Sequence, residues 1–134
     1  MARILALDLG KQKTGLALSD PDQRWAFGRG IVKGSIEDVV KAITDIRTTD
    51  EIERVVIGLP LSLQGTGIGE QEQWVREQAE KIRQGVQLPV EFMEERFSSE
   101  MGRRLQQEAG KKGDDDEAAA KIILQSYLDQ RFRT

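Results

Sequence analysis

The chain contains no histidine and no cysteine. Without imidazole, Ser-His-Asp and Cys-His catalysis are excluded, as are imidazole bases and the usual zinc and non-haem iron ligand sets. Without thiols no disulfide framework can form, and a reducing cytoplasm is the compartment to expect. Aromatic residues are scarce, at 5%. Trp25, Phe27, Phe97 and Tyr127 are therefore expected in the core, and no stacking platform for single strands is expected. Long apolar runs are also missing. The stretch Val55 to Leu63 is interrupted by Gly58 and Pro60 and is far too short to span a bilayer. The opening run from Met1 to Leu7 meets Asp8 too early to be a signal-peptide core.

What is present is a chain of 134 residues, 38% hydrophobic and 32% charged, with a net charge of −3. That length and composition predict one soluble domain, 1–134, able to bury its own core. Acid–base or metal chemistry in it must run on carboxylates, lysines, tyrosine or metal-bound water. The overall charge does not attract nucleic acid, but its distribution is uneven. Arg96, Arg103, Arg104, Lys111 and Lys112 face only Glu100 and Glu108 across residues 96–112, and Asp114-Asp115-Asp116-Glu117 follows. A basic strip beside a carboxylate cluster suits a phosphate substrate held near a metal; solvated helix faces are the alternative reading.

Hydrophobic periodicity orders the elements as β-β-β-α-β-α-β-α-α. Arg3 to Leu9 alternates with apolar residues on both faces, which predicts a central strand of a covered sheet. Gly10 to Lys13 is a turn and Thr14 to Ser19 a second strand, forming a hairpin; Trp25 to Val32 is a third. Ser35 caps a helix with the stripe Ile36, Val39, Val40, Ile43 and Ile46. Arg54 to Leu59 is a buried strand, and Pro60 to Gly69 a loop. A helix from Glu70 to Gln84 carries Val75, Ala79 and Ile82 and ends at Gly85. Leu88 to Met93 is a strand, followed by Glu94-Glu95-Arg96. Ser98 or Ser99 caps a helix aligning Met101, Leu105 and Ala109. Gly110 to Asp116 is a polar loop before a final helix, Glu117 to Arg131, with Ala119, Ile122, Ile123, Tyr127 and Leu128 inward. A hairpin meander followed by βαβα units implies an α/β fold with one mixed five-stranded sheet and helices on its faces. In such sheets ligands bind beyond the carboxyl ends of the strands.

Three acidic positions fall at such ends. Asp8 closes a strand that is apolar on both faces, where a carboxylate is costly unless compensated. It is either a metal ligand at the sheet rim or the acceptor of an Asx-type turn bond. Glu95 is either a second ligand or half of a surface ion pair with Arg96. Asp114, Asp115 and Asp116 precede a helix, where acids are also favoured by capping and the macrodipole. Converging, these carboxylates would form a histidine-free oxygen site suited to Mg²⁺ or Mn²⁺. Paired ions about 4 Å apart can activate water and stabilise the leaving oxygen of a phosphodiester. Gly65-Thr66-Gly67-Ile68-Gly69 either presents backbone N–H groups to a phosphate or is a plain connection; it is not a Walker loop.

Several motifs occur together in order. They are Ala6-Leu7-Asp8-Leu9-Gly10, Thr14-Gly15-Leu16-Ala17-Leu18-Ser19-Asp20, Val56-Ile57-Gly58-Leu59-Pro60-Leu61 with Gly65-Thr66, and Glu94-Glu95-Arg96-Phe97-Ser98-Ser99. Asp116 follows, spaced to Ala119-Ala120 and to Ile123-Leu124-Gln125-Ser126-Tyr127-Leu128. Over nearly the whole chain the set resembles the YqgF (RuvX) family of bacterial Holliday-junction-resolvase-like proteins. The resemblance implies a ribonuclease H-like fold and a divalent-metal nuclease. It implies action in maturation of the 5′ end of precursor 16S ribosomal RNA, with branched DNA as a second substrate class. It maps an acidic triad onto Asp8, Glu95 and Asp116. Departures are Glu94 where the family usually has Asp, Ser99 where Thr is common, Lys13 where an Arg is common, and the extra acids Asp114 and Asp115. Lys11, Lys13, Arg96, Arg103 and Arg104 are candidates for holding flanking phosphates. A monomer or homodimer acting on nucleic acid and not on membrane is expected. Two other readings stand beside it: a noncatalytic nucleic-acid-binding module of the same fold, and an ATP-handling domain of the actin and sugar-kinase type.

Overall fold

The structure, a computed structural model, describes residues 2–60, 69–95 and 115–132, without the side chains at 95, 115, 116 and 132. The strands are β1 (Arg3–Leu9), β2 (Lys13–Ser19), β3 (Ala26–Lys33), β4 (Ile52–Pro60) and β5 (Val90–Glu95). The helices are α1 (Ile36–Arg47), α2 (Glu70–Val86) and α3 (Asp115–Phe132). The strands form one five-stranded sheet in the order β3-β2-β1-β4-β5. The β1–β2 and β2–β3 pairs are antiparallel, and β1–β4 and β4–β5 are parallel. The central position expected for β1 is the one observed.

That position follows from the strand's alternation. Leu5, Leu7 and Leu9 enter one core with Val39, Ile43, Val75, Ala79 and Ile82 of α1 and α2. Ile4 and Ala6 enter another with Ala17, Val56 and the α3 residues Ala120, Ile123, Leu124 and Leu128. Ser19 closes the hairpin's far end, its Oγ accepting the Ile4 N–H at 2.8 Å and donating to the Asp20 carbonyl at 2.9 Å. At the start of α1, Asp38 reaches back so that Oδ2 accepts the Ser35 N–H at 2.9 Å, satisfying a donor the helix itself cannot.

Several expectations are corrected. Gly85 does not end α2; the helix runs to Val86, and Gln87 takes the left-handed conformation (φ 56°) beyond it. Gly85 is there for helix packing, because a Cβ would stand 2.9 Å from Val40 Cγ1 of α1. The fifth strand lies two residues later than the pattern indicated, so Glu94 and Glu95 are in it, extended by pairing with Leu59 and Pro60. Asp115 and Asp116 belong to α3, not to a preceding loop. The inward stripe of α3 is Ala120, Ile123, Leu124 and Leu128, with Ala119 and Ile122 only partly covered. Two apolar triplets, Ala118-Ala119-Ala120 and Ile122-Ile123-Leu124, leave the helix's phase ambiguous. Trp25 and Phe27 are exposed, not core, because β3 is an edge strand and α3 covers only its even-numbered start. The expected helix after Ser99, the Gly65 loop to Ile68, and Phe97 lie outside the described residues.

At the amino edge of the sheet, Arg54 Nη1 donates to Glu91 Oε2 at 3.1 Å and to Tyr127 Oη at 3.2 Å, while the Tyr127 hydroxyl donates to Glu91. The Tyr127 bond, reinforced by Arg54, holds the Glu91 carboxyl below the usual carboxylate range. Burial, and then the Glu91 bond, pushes the Tyr127 hydroxyl up. Tyr127→Phe is expected to lower stability at neutral pH by about 0.5–1.5 kcal/mol, the usual net worth of one such bond. Because the folded-state value of Glu91 is depressed, the stability it contributes is fully present above the ordinary value of 4.5 and is lost as pH falls from there through the lower folded-state value. Urea melts across pH should show wild type and variant converging in acid. A constant gap down to the lowest pH would contradict this linkage.

Candidate functional site

Asp8 is the penultimate residue of β1 and is half-buried. It follows Ile4 and Ala6 in the alternation that faces α3. Its antiparallel partner is Gly15 on β2. On the other side the parallel register pairs Leu7 with Ile57, so the next residue of β4 is Gly58. Neither neighbouring strand therefore brings a side chain beside the carboxylate. Asp8 thus stands at the carboxyl edge of the central strand, the edge at which ligands bind in such sheets.

The other acidic positions are carried to the same edge by topology. β4 and β5 run parallel to β1, and Glu95 is the last residue of β5, opposite Pro60. It is in step with Glu91 and Met93, which meet α3 residues or their core. Glu117 Oε2 accepts the Gly30 N–H at 2.8 Å, and Gln125 Oε1 accepts the Ala26 N–H at 3.0 Å. Helix α3 thus runs opposite to β3, and β3 runs in the direction of β1 through two antiparallel pairings. The amino end of α3, with Asp116, therefore falls at the edge where β1 and β5 end. Among the described residues no three carboxylates lie grouped as a metal-holding set. The side chains of Glu95 and Asp116 are not among those described.

Lys11 is exposed in the turn after β1, and Lys13 opens β2 opposite Lys33 of β3. Both flank the edge that carries Asp8. Arg96, Arg103 and Arg104 lie outside the described residues. Two features were not read from the sequence. Glu117, counted only as part of an acidic run, ties α3 to β3; and Gly15 and Gly58 flank Asp8 on the two neighbouring strands. The second was available as a signal, since each glycine interrupts a run otherwise built for a buried strand.

The five-stranded sheet with this order, α1 and α2 on one face and α3 on the other, is the ribonuclease H-like resolvase architecture. The chain is similar in fold to Thermus thermophilus RuvC in complex with a Holliday junction substrate, with a TM-score of 0.57 at 12% identity, covering 98% of this chain and 96% of that one. It is also similar to the Fowlpox virus resolvase in a complex with Holliday junction DNA (TM-score 0.55, 12% identity, 96% and 98% covered).

Within that class, residues 2–130 match the family model described as "RuvX: Holliday junction resolvase". The chain belongs to the RuvX family. Similar relatives carry the name "Putative pre-16S rRNA nuclease". One, from Caldanaerobacter subterraneus subsp. tengcongensis, is 39% identical over 137 residues, covering 96% of this chain and 97% of its own. Another, from Maridesulfovibrio salexigens, is 36% identical over 132 residues, covering 94% and 97%.

Proposed function

We propose that this protein is a divalent-metal-dependent nuclease that hydrolyses phosphodiester bonds in 5′-end maturation of precursor 16S ribosomal RNA. The observation that carries the reading is Asp8 at the carboxyl end of the central strand, between Gly15 and Gly58, in a chain with full-length RuvX relatives. Asp8, Glu95 and Asp116 would hold Mg²⁺ or Mn²⁺, for which an all-oxygen, histidine-free donor set is suited. The ions would activate a water and neutralise charge on the scissile phosphate. Asp8 would anchor the set from the central strand of the sheet. Lys11 and Lys13 hold phosphates flanking the bond as point charges, and Arg96, Arg103 and Arg104 as forked donors. The protein works as a single domain, 1–134, in the cytoplasm, as a monomer or homodimer. Among the described residues no helix is long and apolar enough to cross a membrane.

The test is cleavage of a transcript spanning the 5′ end of precursor 16S RNA, with Mg²⁺ or Mn²⁺ and with chelator, beside a four-way DNA junction and an ATP-hydrolysis control. Cutting of the transcript that disappears with chelator is the expected result. Binding without cutting in either metal would leave a noncatalytic module. ATP hydrolysis without cutting would point to the nucleotide-handling alternative.

A further inference from the structure

We infer that the outer edge of β3 is a binding track for a single-stranded polynucleotide running toward the Asp8 edge, with Trp25 and Phe27 as stacking platforms. The inference rests on the nucleic-acid reading above and names where on the molecule the strand lies. Trp25 is 63% exposed and Phe27 56%, the exposed large hydrophobic residues of the described structure. An exposed indole beside an exposed phenyl is costly in water and calls for an occupant. Trp25 immediately precedes β3, and Phe27 and Arg29 follow it at alternate positions, Phe27 lying opposite Leu18. Successive positions in that row are about 7 Å apart, far enough for each ring to carry its own base.

Charge selects the occupant. Between Asp22 and Glu37 the chain has Arg24, Arg29 and Lys33 and no acidic residue, in a protein of net charge −3. An aromatic row interleaved with cations, on a molecule of net negative charge, matches a polyanion with flat faces. Register supplies the direction, since Lys33 at the end of β3 lies opposite Lys13 at the start of β2. Phe27 shares the α1–α2 side with Leu18, whereas Lys33 and Lys13 share the side of Asp8, so a strand held at Trp25 and Phe27 would cross the open edge of the sheet near the Gly30 bulge and pass Lys33 and Lys13 to the carboxyl edge. A second copy of the chain pairing with this edge fits less well. Gly30 has a φ of 95°, and the β2–β3 register shifts between Gly15 and Ala17. Such a bulge twists an edge away from strand addition, and Arg29 and Lys33 repel their own kind.

The test uses the intact protein in chelator, so that no cleavage enters the readout. With Trp74→Phe as background, Trp25 is the sole indole. Its fluorescence should be quenched on titration with oligouridylate or oligothymidylate of about 12 nucleotides, a length within the usual single-strand site range. Whichever strand quenches identifies the sugar accepted. A blunt duplex, whose base faces are hidden, should not quench. Trp25→Ala with Phe27→Ala should weaken single-strand binding by about tenfold or more, and Trp25→Phe with Phe27→Tyr should restore it. Arg29→Ala should flatten the log–log salt dependence by about 0.7. Unchanged affinity in the double alanine variant would overturn the inference. So would a sedimentation result in which wild type is a dimer and that variant a monomer with undiminished strand binding. Either failure leaves the nuclease reading standing, since cleavage and its metal requirement are measured separately.

Discussion

Asp8→Asn is expected to abolish cleavage while leaving nucleic-acid affinity equal or slightly raised. The amide keeps the shape and hydrogen-bonding reach of the carboxylate but removes the charge that would hold a cation. Disturbing even an outer partner of a metal ligand commonly costs 10–100-fold, so losing a ligand itself should lower the cleavage rate by more than about a hundredfold. Affinity moves the other way because a carboxylate without its cation only repels phosphate. Asp8 is half-buried at the end of its strand and the amide is isosteric with the carboxylate, so the fold should tolerate the change. Single-turnover cleavage in Mn²⁺, with filter binding across a salt series, measures both quantities. Full activity in variant protein free of contaminating nuclease would end the metal-nuclease reading.

Gly10→Ala is expected to damage both stability and cleavage, for a reason visible in the backbone alone. A Cβ at position 10 would stand 2.4 Å from the Lys13 carbonyl oxygen, closer than any real contact. That oxygen is main chain, so the turn joining β1 to β2 must open to admit one methyl group. Overpacking of this kind costs about 1–3 kcal/mol. The turn also fixes Asp8, two residues earlier, relative to Lys13, and a displacement of about 1 Å at a reacting centre can cost about a hundredfold in rate. Urea unfolding and single-turnover cleavage of the same preparation should therefore fall together. A variant as stable and active as wild type would show that the turn relaxes without disturbing either strand.

The fold was legible because its core strand is written in plain alternation. From Arg3 to Leu9 every side chain that enters a core could be assigned to its face, and the central position followed from both faces being apolar. The ends of elements were less legible. Gly85 reads as a helix stop by composition, yet its reason lies in Val40 of another helix, which no local pattern reveals. The charges of Glu94 and Glu95 suggest the end of a strand, whereas pairing with Leu59 and Pro60 keeps both residues in it. In α3 the apolar residues Ala118-Ala119-Ala120 and Ile122-Ile123-Leu124, on either side of Lys121, occupy most of the helix circumference, so only contact with the sheet selects Ala120, Ile123 and Leu124. Among the site residues, Asp8 stood out because a carboxylate closes an apolar strand. Glu95 and Asp116 look locally like ordinary surface acids. Their common edge depends on parallel pairing and on the direction of α3, both products of tertiary structure.

Bonds such as Gln125 to Ala26, separated by 99 residues, make one face of the sheet depend on the last helix of the chain. During synthesis Ile4, Ala6, Ala17 and Val56 emerge long before Ala120, Ile123, Leu124 and Leu128 exist to cover them. The nascent chain therefore leaves the ribosome with an apolar face bare, an invitation to chaperones until α3 arrives. The same delay has a protective side. Asp8 is made long before Asp116, so a growing chain tethered among ribosomal RNA cannot assemble the proposed cutting site before α3 has emerged.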